Sequence, residues 1–115
     1  MKSISGESFE VRLAENDSMI VFKGALRLSG MEDYAPILEM LKGTLSDPFA
    51  PIVLDLRELD FLNSSGITML SRFVIEARNR DGINLRFFAS ESIGWHARSL
   101  QNLQRLMPAL TISFT

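Results

Sequence analysis

The chain lacks cysteine altogether and has a single histidine among its 115 residues. Without a thiol, disulfide bonds, thiolate catalysis and cysteine-ligated zinc are excluded. An excess of positive charge is also missing, since 12 Lys and Arg residues stand against 14 Asp and Glu residues, a formal net charge of -2. This balance argues against a nucleic-acid partner, which would require a basic face.

Long apolar runs are absent as well. No segment approaches the ~18 consecutive apolar residues of a transmembrane helix, and the first ten residues lack the apolar core of a signal peptide. We therefore expect no membrane association and a cytoplasmic location. Hydrophobic residues make up 46% of the chain and charged residues 23%, which is typical of a globular protein. The length fits one domain over residues 1–115.

The first part of the chain predicts a β-hairpin. Residues 8–14 alternate with period two, with Phe9, Val11 and Leu13 on one face, as in a half-buried strand. Residues 15–18 have turn composition, and residues 19–26 are apolar almost throughout, which indicates a more central return strand. An opening hairpin argues against a Rossmann or flavodoxin-like chain, where strands and helices alternate from the start.

Helical and strand patterns alternate after this hairpin. In the first helix Pro36 is tolerated only within the first turn, so Asp33 rather than Ser29 is the predicted N-cap, and Gly43 with the Ser46-Asp47-Pro48 group ends the helix. The further predicted elements are a buried strand from Ile52 to Leu56 followed by a loop, a helix over 65–80, a strand over 83–89, a helix over 94–107 and a strand over 109–114. The order ββαβαβαβ predicts a mixed, mostly parallel sheet, because a helix that joins successive strands makes them parallel.

The tetrad Asn63-Ser64-Ser65-Gly66 stands where the second helix begins. Ser and Asn suit an N-cap because their side-chain oxygens accept hydrogen bonds from unpaired amides of the first turn. Two serines therefore lie at the positive end of a helix, which favours an anion or a hydroxyl that is to become one.

The stretch LDLREL-DFLNSSGITML, together with the element order and the chain length, resembles the STAS domain of bacterial anti-sigma factor antagonists and sulphate transporter tails. The resemblance implies helices packed mainly on one face of the sheet. It also implies a regulatory module that binds a kinase-like anti-sigma factor or switch protein and is phosphorylated at Ser65, with Ser64 as the second choice. Two positions depart from the family pattern: Asn63 replaces an acidic residue, and Gly24-Ala25-Leu26-Arg27 replaces a Gly-Glu-Leu-Asp segment.

Two sets of residues form the predicted site. We expect the phosphorylation site to be surrounded by Asn63, Ser64, Gly66, Asp55 and Arg27, with Asp55 at the end of its strand and Arg27 able to pair with a phosphate if its loop approaches the tetrad. We expect the partner to contact the outer face of the second helix through Thr68, Met69, Arg72, Ile75 and Glu76.

Three other interpretations of the tetrad remain open. Ser64 and Ser65 could merely cap the helix of a scaffold subunit in a signalling assembly. Ser65 with His96 could serve a small hydrolase, although the sequence has no hydrolase, nucleotide-binding or metal motif and a core histidine is expected at His96. An anion such as a nucleotide could bind the helix start. We expect neither an enzyme nor a cofactor.

Overall fold

The computed structural model of the chain describes residues 3–14, 18–46 and 51–115. Within them, strands and helices alternate after an all-β start. The strands are β1 (Ser3–Ser5), β2 (Phe9–Leu13), β3 (Met19–Leu26), β4 (Ile52–Leu62), β5 (Leu85–Ala89) and β6 (Thr111–Phe114). The helices are α1 (Gly30–Gly43), which a short 3-10 turn (Thr44–Ser46) follows, α2 (Ser64–Arg78) and α3 (Gly94–Leu106).

The strands form one sheet in chain order, β1-β2-β3-β4-β5-β6. The β1-β2 and β2-β3 pairs are antiparallel, and the three pairs from β3 to β6 are parallel. The predicted fold class, a mixed and mostly parallel sheet, is therefore confirmed. Among the described residues, no helix is long and apolar enough to cross a lipid bilayer.

The core lies between one face of the sheet and the three helices. Right-handed crossovers, the rule for parallel strands, place every helix on the same face when the strands follow in chain order. The burial agrees, because the apolar strand residues that are fully buried alternate along the strands and so share one face: Val11, Ile20, Phe22, Ile52, Leu54, Leu85 and Phe87. Helix α2 lies between α1 and α3. Its buried stripe is the predicted one, with Leu70, Phe73, Val74 and Ala77 in the core and Ile67 packed against it.

Strand β1 was not predicted from the sequence, so the observed order has one strand more than predicted. β1 contains a single apolar residue, Ile4, opposite Val11 of β2. Three residues are too few to show the period-two pattern by which a strand is identified. The return strand was predicted as residues 19–26, and β3 has those bounds. The turn was predicted over residues 15–18, of which residues 15–17 lie outside the described residues.

The predicted start of α1 at Asp33 is wrong. The helix begins at Gly30, with Ser29 at the N-cap position without a side-chain capping bond, and Pro36 lies inside the helix. The earlier start places Tyr34 on the buried face, where its side chain is fully enclosed. Pro36 is exposed, so the backbone bond that proline cannot make is lost on the solvent side of the helix. The predicted end at Gly43 is confirmed, and Asp47 and Pro48 lie outside the described residues.

The loop predicted before the tetrad is wrong as well, because β4 continues as a strand to Leu62. Two register shifts between β3 and β4 hide the period-two alternation of β4. The first lies between the pairs Val21↔Asp55 and Lys23↔Glu58, where β3 advances by two residues and β4 by three. The second follows Gly24. Gly24 has φ +88, and a Cβ at this position would collide with the Ser8 carbonyl oxygen. The start of α2 is therefore joined to a paired strand, with Asn63 as the one residue between them.

Candidate functional site at the start of helix α2

Asn63 is the N-cap of α2, and its side-chain amide is fully used. Oδ1 accepts hydrogen bonds from the Gly66 backbone N–H (3.0 Å) and from the Tyr34 hydroxyl (2.7 Å), while Nδ2 donates to the Leu28 carbonyl (2.8 Å). These partners fix which amide atom is the oxygen. The interpretation in which Ser64 and Ser65 cap the helix is wrong, since the residue before them caps it.

Gly66 is required by close packing. It is buried in the first turn of α2, and a Cβ there would collide with the Leu62 side chain and lie 2.9 Å from the Tyr34 hydroxyl oxygen. Such overlap forces neighbouring side chains to move. The glycine of the tetrad therefore lets α2 approach the end of β4 and the side of α1.

Ser64 and Ser65 have no structural duty that the geometry reveals. Ser64 is exposed and Ser65 is half-buried. Neither hydroxyl makes a hydrogen bond to any residue in the described part of the chain. Both serines occupy the first turn of α2, where backbone N–H groups lack intrahelical partners and the helix dipole is positive. These are two free hydroxyl groups in an electropositive environment.

Asp55 does not join this group. It lies in the interior of β4, so its predicted position at a strand end is wrong. At 3.3 Å per residue, and allowing for the two bulges, Asp55 is about 15–20 Å from the tetrad. Both carboxylate oxygens accept hydrogen bonds from the Arg57 guanidinium (2.9 and 2.8 Å), and this interaction holds the pKa of Asp55 below its usual value. The Asp55 carboxylate therefore binds Arg57 within the sheet and does not contact the serines.

Arg27 lies beside the tetrad, and the condition that its loop approach the tetrad is met. Leu26 pairs with Leu62, and the Asn63 backbone N–H donates to the Leu26 carbonyl (3.2 Å). The guanidinium carbon of Arg27 is 4.7 Å from the centre of the Phe61 ring. The sequence analysis missed Phe61, which is 40% exposed. The adjacent apolar residues Phe61 and Leu62 were a signal for it, because neighbours in a strand point to opposite faces.

Four of the five residues predicted to contact a partner on the outer face of α2 are accessible, and their contact with a partner stays a prediction. Thr68 and Arg72 are exposed, and Ile75 and Glu76 are half-buried. Met69 is fully buried, so its predicted place in the partner surface is wrong. Met69 precedes Phe73 by four residues, which places both side chains on the same buried side of the helix.

His96 is a core residue, as expected, and is not positioned as a catalytic base. Nε2 donates to the Leu59 carbonyl (3.0 Å), and Nδ1 accepts from the Ser90 backbone N–H (3.0 Å), so neither nitrogen faces Ser65. Burial lowers the pKa of His96 and keeps the imidazole neutral. The neighbouring Trp95 Nε1 donates to the Asp60 carbonyl (3.0 Å). The side chains of Trp95 and His96 thus bind the start of α3 to the part of β4 that follows its last residue paired with β5.

Over residues 3–14, 18–46 and 51–115, no three His, Cys, Asp or Glu side chains are grouped so that they could hold a metal ion. What the site offers is a pair of serine hydroxyls, a polar helix face, and an arginine stacked on an exposed phenylalanine.

The protein is thus a small mixed α/β protein with free serine hydroxyls at the point where a helix leaves the sheet. No protein-family model and no curated protein matches the sequence. Among solved structures, the chain is similar to one in the crystal structure of the diguanylate cyclase SiaD in complex with its activator SiaC from Pseudomonas aeruginosa, with a TM-score of 0.74 and 15% identity over 100% of both chains. It is also similar to SiaC of Pseudomonas aeruginosa, with a TM-score of 0.68 and 15% identity over 100% of this chain and 97% of that chain. At this identity the similarity shows a shared fold.

Proposed function

We propose that this protein is a regulatory protein-binding module of the STAS type, whose partner contacts the start and outer face of α2 and is controlled by phosphorylation of Ser65 or Ser64. The observation that carries the proposal is that the residues of the tetrad have different structural roles. Asn63 caps the helix and Gly66 permits the packing, so the two serine hydroxyls are not needed to hold the fold. They are free to be modified.

The electrostatics of the helix start suit such a switch. A phosphate adds about 1.5–2 negative charges. At a helix N-terminus this charge is favoured by about 0.3–1 kcal/mol, so the domain remains folded after modification. A partner docked over the same surface meets a new charge and a larger group. A coupling of about 1–3 kcal/mol changes its affinity by about 5- to 150-fold.

The two serines differ in accessibility. The resemblance to STAS domains indicates Ser65, whereas the greater exposure of Ser64 favours that residue. The family's acidic residue is absent at Asn63, and Asp55 is remote, so neither contributes a carboxylate beside an incoming phosphate. Arg27, one residue beyond the strand that pairs with the end of β4, is a nearby positive charge.

Two classes of partner are candidates. The family resemblance favours a kinase-like anti-sigma factor, which the module would sequester so that a sigma factor is released. The similarity to SiaC, an activator in complex with the diguanylate cyclase SiaD, favours a diguanylate cyclase. In either case the module binds and regulates another protein without being an enzyme itself, and we expect this to occur in the cytoplasm.

The experiment tests modification and binding separately. The protein is incubated with ATP and the kinases of its own cell, and phosphate is mapped by mass spectrometry. Affinity for purified full-length candidate partners, a diguanylate cyclase and a kinase-like anti-sigma factor from the same organism, is then compared for Ser65→Ala, Ser65→Asp, Ser64→Ala and Ser64→Asp. We expect the alanine variants to bind like the wild type and at least one aspartate variant to bind at least fivefold more weakly.

The rival with the same fold is a scaffold subunit that is never modified. Phosphate found elsewhere or nowhere, together with equal binding by all four variants, would favour this rival. The hydrolase interpretation predicts ester turnover that disappears in His96→Ala, a result that the position of His96 gives no reason to expect.

A further inference from the structure

The sheet carries two arginines that each lie over a phenylalanine ring. Arg57 lies over Phe88, with 5.4 Å between its guanidinium carbon and the ring centre, and Arg27 lies over Phe61 at 4.7 Å. Phe61 adjoins Leu62, which packs beneath α2, so the alternation of the strand directs Phe61 to the opposite, helix-free face. The two stacks resemble each other in geometry and differ in what else the guanidinium contacts.

The Arg57 stack is complete within the chain. Nε and Nη2 of Arg57 donate to both oxygens of Asp55, which is only 8% exposed. The charge of Arg57 is therefore paired within the chain, and two of its N–H groups donate to Asp55. Phe88 beneath this pair is half-buried. This stack is part of the sheet.

The Arg27 stack is incomplete by comparison. Arg27 is exposed, and its guanidinium forms no hydrogen bond or ion pair with the residues that the structure describes. Its ring partner Phe61 is the exposed large hydrophobic side chain of the described residues. A planar fork of five donors is thus left available beside a partly exposed aromatic ring.

The backbone on both sides of Arg27 is fixed. Asn63 binds the carbonyl oxygens of the residues that flank it, Leu26 through its backbone N–H (3.2 Å) and Leu28 through Nδ2 (2.8 Å). Phe61 is held by its pairing with Ala25. Because little backbone freedom remains to be lost when another molecule binds here, the stack is pre-organised for binding.

We propose that the partner-binding surface extends from Ser64 and Thr68 over the edge of the sheet to Arg27 and Phe61, and that a protein partner places a carboxylate side chain on Arg27 and an apolar side chain against Phe61. This proposal rests on the proposed function and names the chemistry of its partner. Charge complementarity supports the occupant, since a guanidinium without an internal carboxylate matches a carboxylate in a bidentate geometry. Arginine and aromatic residues are also enriched among the residues that dominate binding energy at interfaces.

The position explains how a phosphate would act on such a partner. Ser64 is the third residue after Phe61, so their Cα atoms are at most about 10 Å apart. A phosphate on either serine would repel a partner carboxylate on Arg27 and would compete for the same guanidinium. Arg27 and Phe61 would therefore contribute to the affinity for the partner and would also make this affinity sensitive to phosphorylation.

The test uses the purified full-length candidate partners named above and four variants of this chain. Arg27→Ala and Phe61→Ala are expected to weaken binding about tenfold or more, and Arg27→Lys to weaken it less, since an ammonium keeps the charge without the planar fork. The control is Arg105→Ala, which removes the same charge from an exposed residue in the last turn of α3. This variant is expected to bind like the wild type. Circular dichroism verifies that Phe61→Ala is folded, and the two Arg27 variants test the surface without removing apolar packing.

The outcomes separate this inference from the proposed function. If Arg27→Ala and Phe61→Ala bind as tightly as the wild type while a serine-to-aspartate variant binds weakly, the partner contacts α2 alone and the inference is overturned. It is also overturned if Arg27→Ala changes the affinity of only the phosphorylated protein, because Arg27 then binds the chain's own phosphate. If the wild type binds neither candidate, the proposed function fails and this inference fails with it.

Discussion

The Tyr34 hydroxyl donates a 2.7 Å hydrogen bond to Oδ1 of Asn63 and thereby joins α1 to the first turn of α2. Tyr34 is fully buried, and burial raises the pKa of its phenol, which therefore stays protonated as a donor at neutral pH. The same Oδ1 accepts from Gly66, so one oxygen both caps α2 and orients it against α1.

Removing this hydroxyl tests the contribution of the bond. In Tyr34→Phe the ring packing is kept and Asn63 still caps Gly66, so we expect a loss of about 0.5–1.5 kcal/mol in the free energy of unfolding. Urea denaturation followed by circular dichroism measures it. An unchanged midpoint would show that the hydroxyl is not needed to hold the two helices together.

Restoring the family's acidic residue is expected to destabilise this particular chain. Asn63→Asp keeps an acceptor for Gly66 and Tyr34, but it removes the donor to the Leu28 carbonyl and leaves a carboxylate facing that oxygen. The loss, about 1–3 kcal/mol for an unsatisfied group, exceeds the gain of about 0.3–1 kcal/mol from a negative charge at the helix start. Thermal unfolding of Asn63→Asp beside Asn63→Ala measures the balance, and an Asp variant more stable than the wild type would contradict it.

Gly66 and Gly43 form a matched pair for testing the close approach of α2. In Gly66→Ala the new methyl group meets Leu62 and Tyr34, so we expect destabilisation by about 1–3 kcal/mol. In Gly43→Ala, at the end of α1, nothing lies within 4 Å and the backbone is not left-handed, so we expect stabilisation of about 0.4–1 kcal/mol. Chemical denaturation of both variants checks the opposite signs. Equal effects would show that the packing at Gly66 is looser than described.

His96 predicts a pH dependence of stability near neutrality. Its folded pKa lies below the unfolded value of about 6.5 because burial disfavours the imidazolium. The stabilisation by neutral His96 is therefore fully present above pH 6.5, and it decreases as the pH falls from 6.5 toward the folded pKa, by at most about 1.4 kcal/mol per pH unit.

His96 is the only side chain of the sequence whose ordinary pKa lies in this pH range, and comparison with a variant that lacks it isolates its contribution. The free energy of unfolding is measured between pH 7.5 and pH 5.5 for the wild type and for His96→Gln. We expect the dependence to be weaker in the variant. Parallel curves for the two proteins would mean that His96 does not titrate differently in the folded and unfolded states.

Local patterns predicted those elements whose burial is regular. The apolar run 19–26 matches β3 at both ends, and the stripe from Leu70 to Ala77 placed α2 correctly, because a period of 2 or 3.6 directly reflects which side is buried. The pattern failed where structure is irregular: the bulges of β4 disguised six strand residues as a loop, and an exposed Pro36 was tolerated inside α1.

The position of the tetrad at the start of α2 was predicted from the sequence, but the hydrogen bonds within the tetrad were not. The tetrad was identified because small polar residues stand between a strand and a helix. Its internal roles depend on contacts with Tyr34 and Leu28, which are 29 and 35 residues away in sequence. No local spacing encodes those contacts, and so Asn63 could not be distinguished from the serines as the cap. The free stack of Arg27 on Phe61 likewise exists only because β3 pairs with β4.

The most direct measurement of the proposed phosphorylation switch is the affinity of the purified partner for this protein before and after stoichiometric phosphorylation, with thermal unfolding of both forms as the control. We predict that phosphate maps to Ser65 or Ser64, that the unfolding temperature is unchanged or slightly higher, and that affinity falls at least fivefold. Equal affinity of the two forms, with phosphate verified at either serine, would contradict such a switch.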